Sequence, residues 1–272
     1  MALAGYAGVA PATDDIEIRT IGVADLRLAL AQGWRNFTER RGDLLFVVVI
    51  YPVVALLAAL VTSNVSILPL VVPVAAGAML LGPPLASGFY ELARRRQLGL
   101  DSGWSHFLDG YRGPTAETMM ALTSVVAVLF LAWLMVAWLI FAATMGSVPV
   151  TDPIAFVRAV MSTPAGWQMI IVGNLVGLGF AVVTLAMTVI SFPMLIDRPV
   201  GLAVAIRTSV RVTVKNPATV AVWGLTVVAL LVLGAITAFV GLGVALPVLG
   251  YASWHLYDLA VVRPHDLTGG LR

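Results

Sequence analysis

Residues Thr118 to Thr144 read TMMALTSVVAVLFLAWLMVAWLIFAAT, a run without one Asp, Glu, Lys or Arg. A helix needs about 20 predominantly apolar residues to cross the roughly 30 Å hydrocarbon core of a bilayer. This run exceeds that length and predicts a transmembrane helix. Working outward by the same measure predicts five more spans, at Leu44 to Thr62, Leu68 to Phe89, Gln168 to Phe192, Ala218 to Val240 and Leu242 to Leu259. Pro247, Trp254, His255 and Asp258 interrupt the last of them. The whole chain is 60% hydrophobic and 11% charged, against about 25% charged in an average soluble domain.

The loops orient these spans. Fifteen of the sixteen Lys and Arg residues fall on one side of the implied membrane, leaving Arg158 alone on the other. By the positive-inside bias, both termini are expected on the cytoplasmic side of the membrane that holds the chain. Met145 to Trp167 is then the one sizeable external loop. The predicted organisation is a cytoplasmic tail over 1–21, a single six-span domain over 22–263 and a second cytoplasmic tail over 264–272.

Several classes of function are disfavoured by what the chain carries. A net charge of +2 spread along cytoplasmic loops is the usual product of membrane orientation and gives no footprint for nucleic acid. Asp14, Asp15 and Glu17 make the N-terminal segment acidic, and no basic region runs into an apolar stretch there. That pattern predicts no cleavable signal peptide. With no cysteine, disulfides, iron–sulfur ligation and thiol chemistry are unavailable.

The cytoplasmic segments have a pattern of their own. Val23, Leu26, Leu30, Trp34 and Phe37 share one face at helical period, with Arg27, Arg35 and Glu39 elsewhere. Before the third span, Trp104, Phe107, Leu108 and Tyr111 repeat that spacing. Before the fifth, Leu202, Ile206, Val210 and Val214 form an apolar stripe beside a cationic one of Arg207, Arg211 and Lys215. Each predicts an interfacial amphipathic helix, and the cationic stripe suits anionic lipid headgroups.

Aligning the three gives a repeat of amphipathic helix and membrane hairpin over about 22–97, 101–198 and 200–263. The fold class is therefore all-α and polytopic, with six spans in three hairpins. Each unit ends on an acid, in Phe89-Tyr90-Glu91-Leu92, Leu195-Ile196-Asp197-Arg198 and Leu256-Tyr257-Asp258-Leu259. A carboxylate at a helix C-terminus opposes the macrodipole. Glu91, Asp197 and Asp258 are thus expected to pair with arginines of the interfacial helices as clamps, with cation entry as the alternative.

Inside the spans there is little chemistry. No acid or base stands near the middle of any of them, although proton relays and ion-coupled transport generally need one there. Gly173 and Gly177 make a G-x-x-x-G on the fourth span, a surface suited to close helix contact. The prolines at 52, 69, 73, 83, 84, 193 and 247 are read as shaping kinks. His255 is the one histidine in a span. A hydrogen bond to a neighbouring helix is the simpler reading for it, and ligation of a haem or metal would need a second strong ligand. No H-E-x-x-H, G-x-S-x-G or P-loop is present. No catalytic, cofactor or metal site is predicted.

From Phe192 the motifs become distinctive: Phe192-Pro193-Met194-Leu195-Ile196-Asp197-Arg198-Pro199, then Ala205, Ser209, Asn216-Pro217 and Trp223, and finally Pro247-Val248-Leu249-Gly250-Tyr251-Ala252-Ser253-Trp254-His255-Leu256-Tyr257. In these residues the chain resembles the bacterial integral-membrane family called domain of unknown function 2189. Some of its members have been labelled cytochrome c oxidase proteins. The resemblance implies a second histidine where this chain has Tyr251, so the i, i+4 pair with His255 is broken here. An oxidase catalytic subunit would also need several intramembrane histidines, and this chain has one.

Together these features predict a non-catalytic accessory or assembly subunit of an energy-transducing, respiratory membrane complex. It would meet membrane lipid and partner subunits and carry no cofactor of its own. The alternatives are a small-solute or lipid transporter and, behind it, an intramembrane enzyme or redox protein using His255.

Overall fold

The computed structural model describes residues 16–39, 67–147, 152–237 and 239–262. Over these residues the protein is helical, and its one β-contact is an isolated antiparallel bridge between Ile18 and Val261. The expected first span, Leu44 to Thr62, lies outside the described residues.

Helix α1 (Val23–Thr38) starts where the Asp25 carboxylate accepts the Gly22 amide at 2.8 Å. Helices α2 (Leu68–Ala78) and α3 (Gly82–Gln97) are one apolar run, joined by a 3-10 turn over Met79–Leu81. Pro83 and Pro84 cause that turn, because neither can donate to the carbonyl four residues back. Helix α4 (Ala116–Met145) has 30 residues and is about 45 Å long at 1.5 Å per residue.

Helix α5 (Pro153–Ser162) occupies the expected external segment, and Phe156 on it packs against Phe141 of α4. Helix α6 (Pro164–Thr188) breaks at Val189 and Ile190 before α7 (Ser191–Asp197) continues the same span. Pro193 again removes the bond to a carbonyl, that of Val189. The Ile190 amide donates to Ser209 Oγ at 3.2 Å, and Ser209 in turn donates to the Ala186 carbonyl at 2.7 Å. Helix α8 (Leu202–Lys215), which supplies Ser209, is thereby laid over the break. The remaining hairpin is α9 (Pro217–Ile236) and α10 (Leu242–Ala260), which touch closely at Gly234 and Leu242.

Among the described residues, four helices are long and apolar enough to cross a membrane: Leu68–Gln97, Ala116–Met145, Pro164–Asp197 and Pro217–Ile236. The expected sixth span is a helix of 19 residues but is not one of these four. Its residues are buried by protein instead. Helix α10 packs against α1, α3, α7 and α9, and Tyr251, Trp254 and Tyr257 on it are among the largest fully buried side chains. Burial explains the Trp and His that interrupt the run, since both side chains are enclosed by protein, and Asp258 bonds Gln97 at the helix end.

The expected amphipathic helix over 104–111 needs correction. Residues 104–111 form two 3-10 turns, Trp104–His106 and Asp109–Tyr111, and not an α-helix. Gly103, Gly110, Gly113 and Pro114 crowd this stretch, each disfavouring a continuous helix. In α1 the buried face is Leu26, Ala29, Gly33 and Asn36, while Val23 and Trp34 of the expected apolar stripe are exposed. In α8 the buried face is Ala205, Thr208, Ser209 and Val212. Both helices turn a seam rich in small residues toward the bundle, and part of each apolar stripe, Val23 and Trp34 in one and Val210 and Val214 in the other, stays exposed.

Among the described residues, several helix ends gather at one cationic end. Arg19 and Glu17 bond Ala260 and Val262, the Ile21 amide donates to Asn216 at 2.9 Å, and Arg96 lies 3.8 Å from Glu39. The first residues of α9 and the last residues of α3 and α10 therefore meet around α1. Antiparallel packing sets Pro73 and Gly77 beside Trp133 and Phe130 in the middle of α4, so α2 begins at the far end. Among the described residues, Arg158 on α5 is the cation at that far end.

Candidate functional site

The three acid-bearing helix ends converge at the cationic end. Glu91 is 3% exposed. Its carboxylate accepts from Arg94 Nε at 2.9 Å and Nη2 at 2.7 Å, and Arg95 Nη1 is 3.6 Å away. Arg95 also reaches Asp109 at 3.4 Å, and His106 Nδ1 stands 2.7 Å from the same carboxylate. The Asp197 carboxylate accepts the Tyr257 hydroxyl at 2.6 Å and lies 3.4 Å from Arg198 Nε. Gln97 ties α3 to α10 twice, donating to Asp258 at 3.2 Å and accepting from Trp254 Nε1 at 2.9 Å.

These partners differ from the expected ones. Arg94 and Arg95 belong to the same helix as Glu91, three and four residues on, and Arg198 is next to Asp197. The interfacial helices contribute in another way. From α1, the Asn36 carbonyl accepts from Arg96 Nη1 at 2.8 Å, and Arg96 stands over the Tyr251 ring at 5.4 Å. Such a network holds helix ends together and orients them. Within it the buried Glu91 offsets two cations that are themselves four-fifths to three-quarters buried.

His255 is buried, and its Nε2 lies 2.9 Å from Asn36 Nδ2. The amide nitrogen donates, so Nε2 accepts and the ring proton sits on Nδ1. An imidazole whose Nε2 already accepts a helix-to-helix hydrogen bond does not fit a haem or metal ligand, and Tyr251 one turn earlier supplies no second one. Among the described residues no three His, Asp or Glu side chains group as a metal site.

Trp104 and Phe107 stack at 5.1 Å, and both meet the edge of Phe89 on α3. Tyr111 donates to the Pro84 carbonyl at 3.1 Å. These three aromatic residues fill the angle between α3 and α4 and are half-buried, as is Phe37, whereas Trp34 is 52% exposed. Arg207, Arg211 and Lys215 are exposed, and Lys215 donates to the Ile18 carbonyl. The glycine pair on α6 divides its roles. A Cβ on Gly177 would come within 3.0 Å of the Trp133 indole, while one on Gly173 would meet nothing within 4 Å.

Sequence reasoning missed Asn36, Arg96, Gln97 and Ser209 as organising residues. A signal existed for two of them: Asn36 continues the small-residue spacing of Ala29 and Gly33, and Ser209 stands one turn after Ala205.

Four long apolar helices around a buried polar cap define an all-helical integral membrane protein. The model of a family described as "Predicted integral membrane protein (DUF2189)" matches residues 70–197, a little under half of the chain, and over that stretch the chain is similar to this family. The motif residues from Asn216 to Tyr257 lie beyond the match. No curated protein and no solved structure matches the chain.

Proposed function

We propose that this protein is a non-catalytic accessory or assembly subunit, bound within a bacterial inner membrane to a larger respiratory complex. The observation that supports a partner is the outer face of α6. Asn174 is exposed there, its side-chain amide donating to the Ile170 carbonyl of its own helix at 2.8 Å, and among the described residues a Cβ on the adjacent Gly173 would meet nothing within 4 Å. A carboxamide facing hydrocarbon is costly, and a small polar patch is what a second helix packs on. The respiratory assignment rests on the family resemblance alone.

Gly173→Leu tests this reading, because among the described residues a Cβ at this position meets nothing within 4 Å. Subunits of a terminal oxidase should co-purify with the wild-type protein from native membranes and be lost from the variant at equal expression. Their absence from the wild-type preparation, or equal recovery with both, rejects the reading.

The orientation that goes with it places both termini in the cytoplasm, and the convergence of Arg94, Arg95, Arg96, Arg198 and Arg211 at one end supports it by the positive-inside bias. Reporter fusions at residues 10 and 155 should report opposite sides of the membrane. The same side for both would sink the topology.

A further inference from the structure

Helix α8 presents three faces where an ordinary amphipathic helix presents two. Its small and hydroxyl face is spent on the broken span, through Ser209 and the Ala205 carbonyl. That leaves Val210 and Val214 outside, Val214 at 73% exposed. Arg207, Arg211 and Lys215 form an exposed stripe next to these valines. Exposing aliphatic residues to water at i and i+4 gains nothing, yet the same pair suits hydrocarbon when the adjoining cations reach headgroups. The position agrees, because α8 joins the end of one span at Asp197 to the start of the next at Pro217.

The last two turns of α8 also form one wall of a groove of about 620 Å³, whose other wall is the extended segment Ile16 to Ile18. That volume lies within the 300–1,000 Å³ common for small-molecule sites. Val210 and Val214 line it with Arg211 and Lys215, and Ile16 and Ile18 close it. The Lys215 ammonium donates to the Ile18 carbonyl, which fixes the two walls together, and two of its three protons remain for another acceptor. Glu17 also lines the groove, one carboxylate against two cations.

We infer that this groove binds an anionic phospholipid of the leaflet at the cationic end. Its phosphate lies between Arg211 and Lys215, and the upper part of one acyl chain runs along Val210 and Val214. A free phosphate would use the cations and leave the valines without purpose; a lipid uses both. The inference is independent of the accessory-subunit reading.

Full-length protein stripped of lipid in an uncharged detergent, titrated with phosphatidylglycerol or phosphatidylcholine and read by native mass spectrometry, tests it. Each cation at an anionic surface contributes about fivefold in affinity, so phosphatidylglycerol should be preferred about 25-fold. Arg211→Gln should lower that preference about fivefold, weakening phosphatidylcholine less because its choline cation already offsets the phosphate. Val214→Asn, at a position packed on nothing, should weaken phosphatidylglycerol binding with the thermal melt unchanged, and decides the matter if Arg211→Gln fails to fold. Millimolar inorganic phosphate should not displace the lipid. Equal binding of the two lipids, no effect of Val214→Asn, or displacement by inorganic phosphate would each overturn the assignment, the last giving the groove to free phosphate.

Discussion

Gly33→Ala should detach α1 from the bundle, lowering the melting temperature in detergent and opening residues 23–39 to protease. A Cβ at this position would stand 2.7 Å from the Val248 carbonyl oxygen, 2.8 Å from the Ala252 nitrogen and 2.9 Å from the Ala252 Cβ. The two nearest atoms are backbone, so no rotamer change relieves the contact. Overpacking a tight site costs about 1–3 kcal/mol, and rigid neighbours place this case at the upper end. The shift would also separate Asn36 from His255 and the Asn36 carbonyl from Arg96, both one turn further along. Gly179→Ala is the control: its Cβ meets nothing within 4 Å, and alanine gains up to about 1 kcal/mol of helix propensity over glycine. A Gly33→Ala protein that melts within about one degree of wild type and resists protease equally would show that the close approach does not hold α1.

The small-residue seam that makes this prediction is one that apolar periodicity does not point to. Apolar periodicity finds the face of a helix that prefers to leave water, and in a soluble protein that face is the core. At a membrane surface the aliphatic face has a second destination, so Val23 and Trp34 of α1 and Val214 of α8 stay outside. Glycine, alanine and serine then do the packing, as between helices in lipid. Long uncharged runs were legible because bilayer thickness sets one length for all of them, and four appear as helices that can cross.

Helix α10 shows the limit of that legibility: its Trp, His and Asp weaken the hydropathy signal because they serve a hydrogen-bonded network that composition cannot reveal. The aromatic spacing of Trp104, Phe107 and Tyr111 marked residues that do pack together, while Gly110 within the stretch and the glycines at 103 and 113 beside it favour turns in place of a helix. The acid signature was visible as a repeated position. Its partners were not, since hydrogen bonds from Tyr257 to Asp197 and from Gln97 to Asp258 join residues 60 and 161 apart in sequence.

Glu91→Ala should be the most damaging single substitution at the cationic end. The carboxylate is almost wholly buried and lies between Arg94 and Arg95, at 2.7 and 3.6 Å. Removing one partner of a buried ion pair typically costs about 3–5 kcal/mol, because the remaining charge is left uncompensated. Arg94 and Arg95 keep some access to solvent, at 26% and 19% side-chain exposure, which puts the expected loss near the lower bound, about 3 kcal/mol. Glu91→Gln should cost less, since the amide oxygen still accepts from Arg94 although the charge is gone.

Thermal melts of Glu91→Ala, Arg94→Ala and the double variant give the coupling directly. As a clamp, Glu91 predicts that Arg94→Ala costs clearly less on the Glu91→Ala background than alone. If the carboxylate were instead an entry point for cations, its removal would relieve an unfavourable burial, and Glu91→Ala would melt at or above the wild-type temperature with no coupling to Arg94. The bidentate geometry, in which Arg94 Nε and Nη2 each meet a different carboxylate oxygen, leaves little room for a transported ion and argues for the clamp.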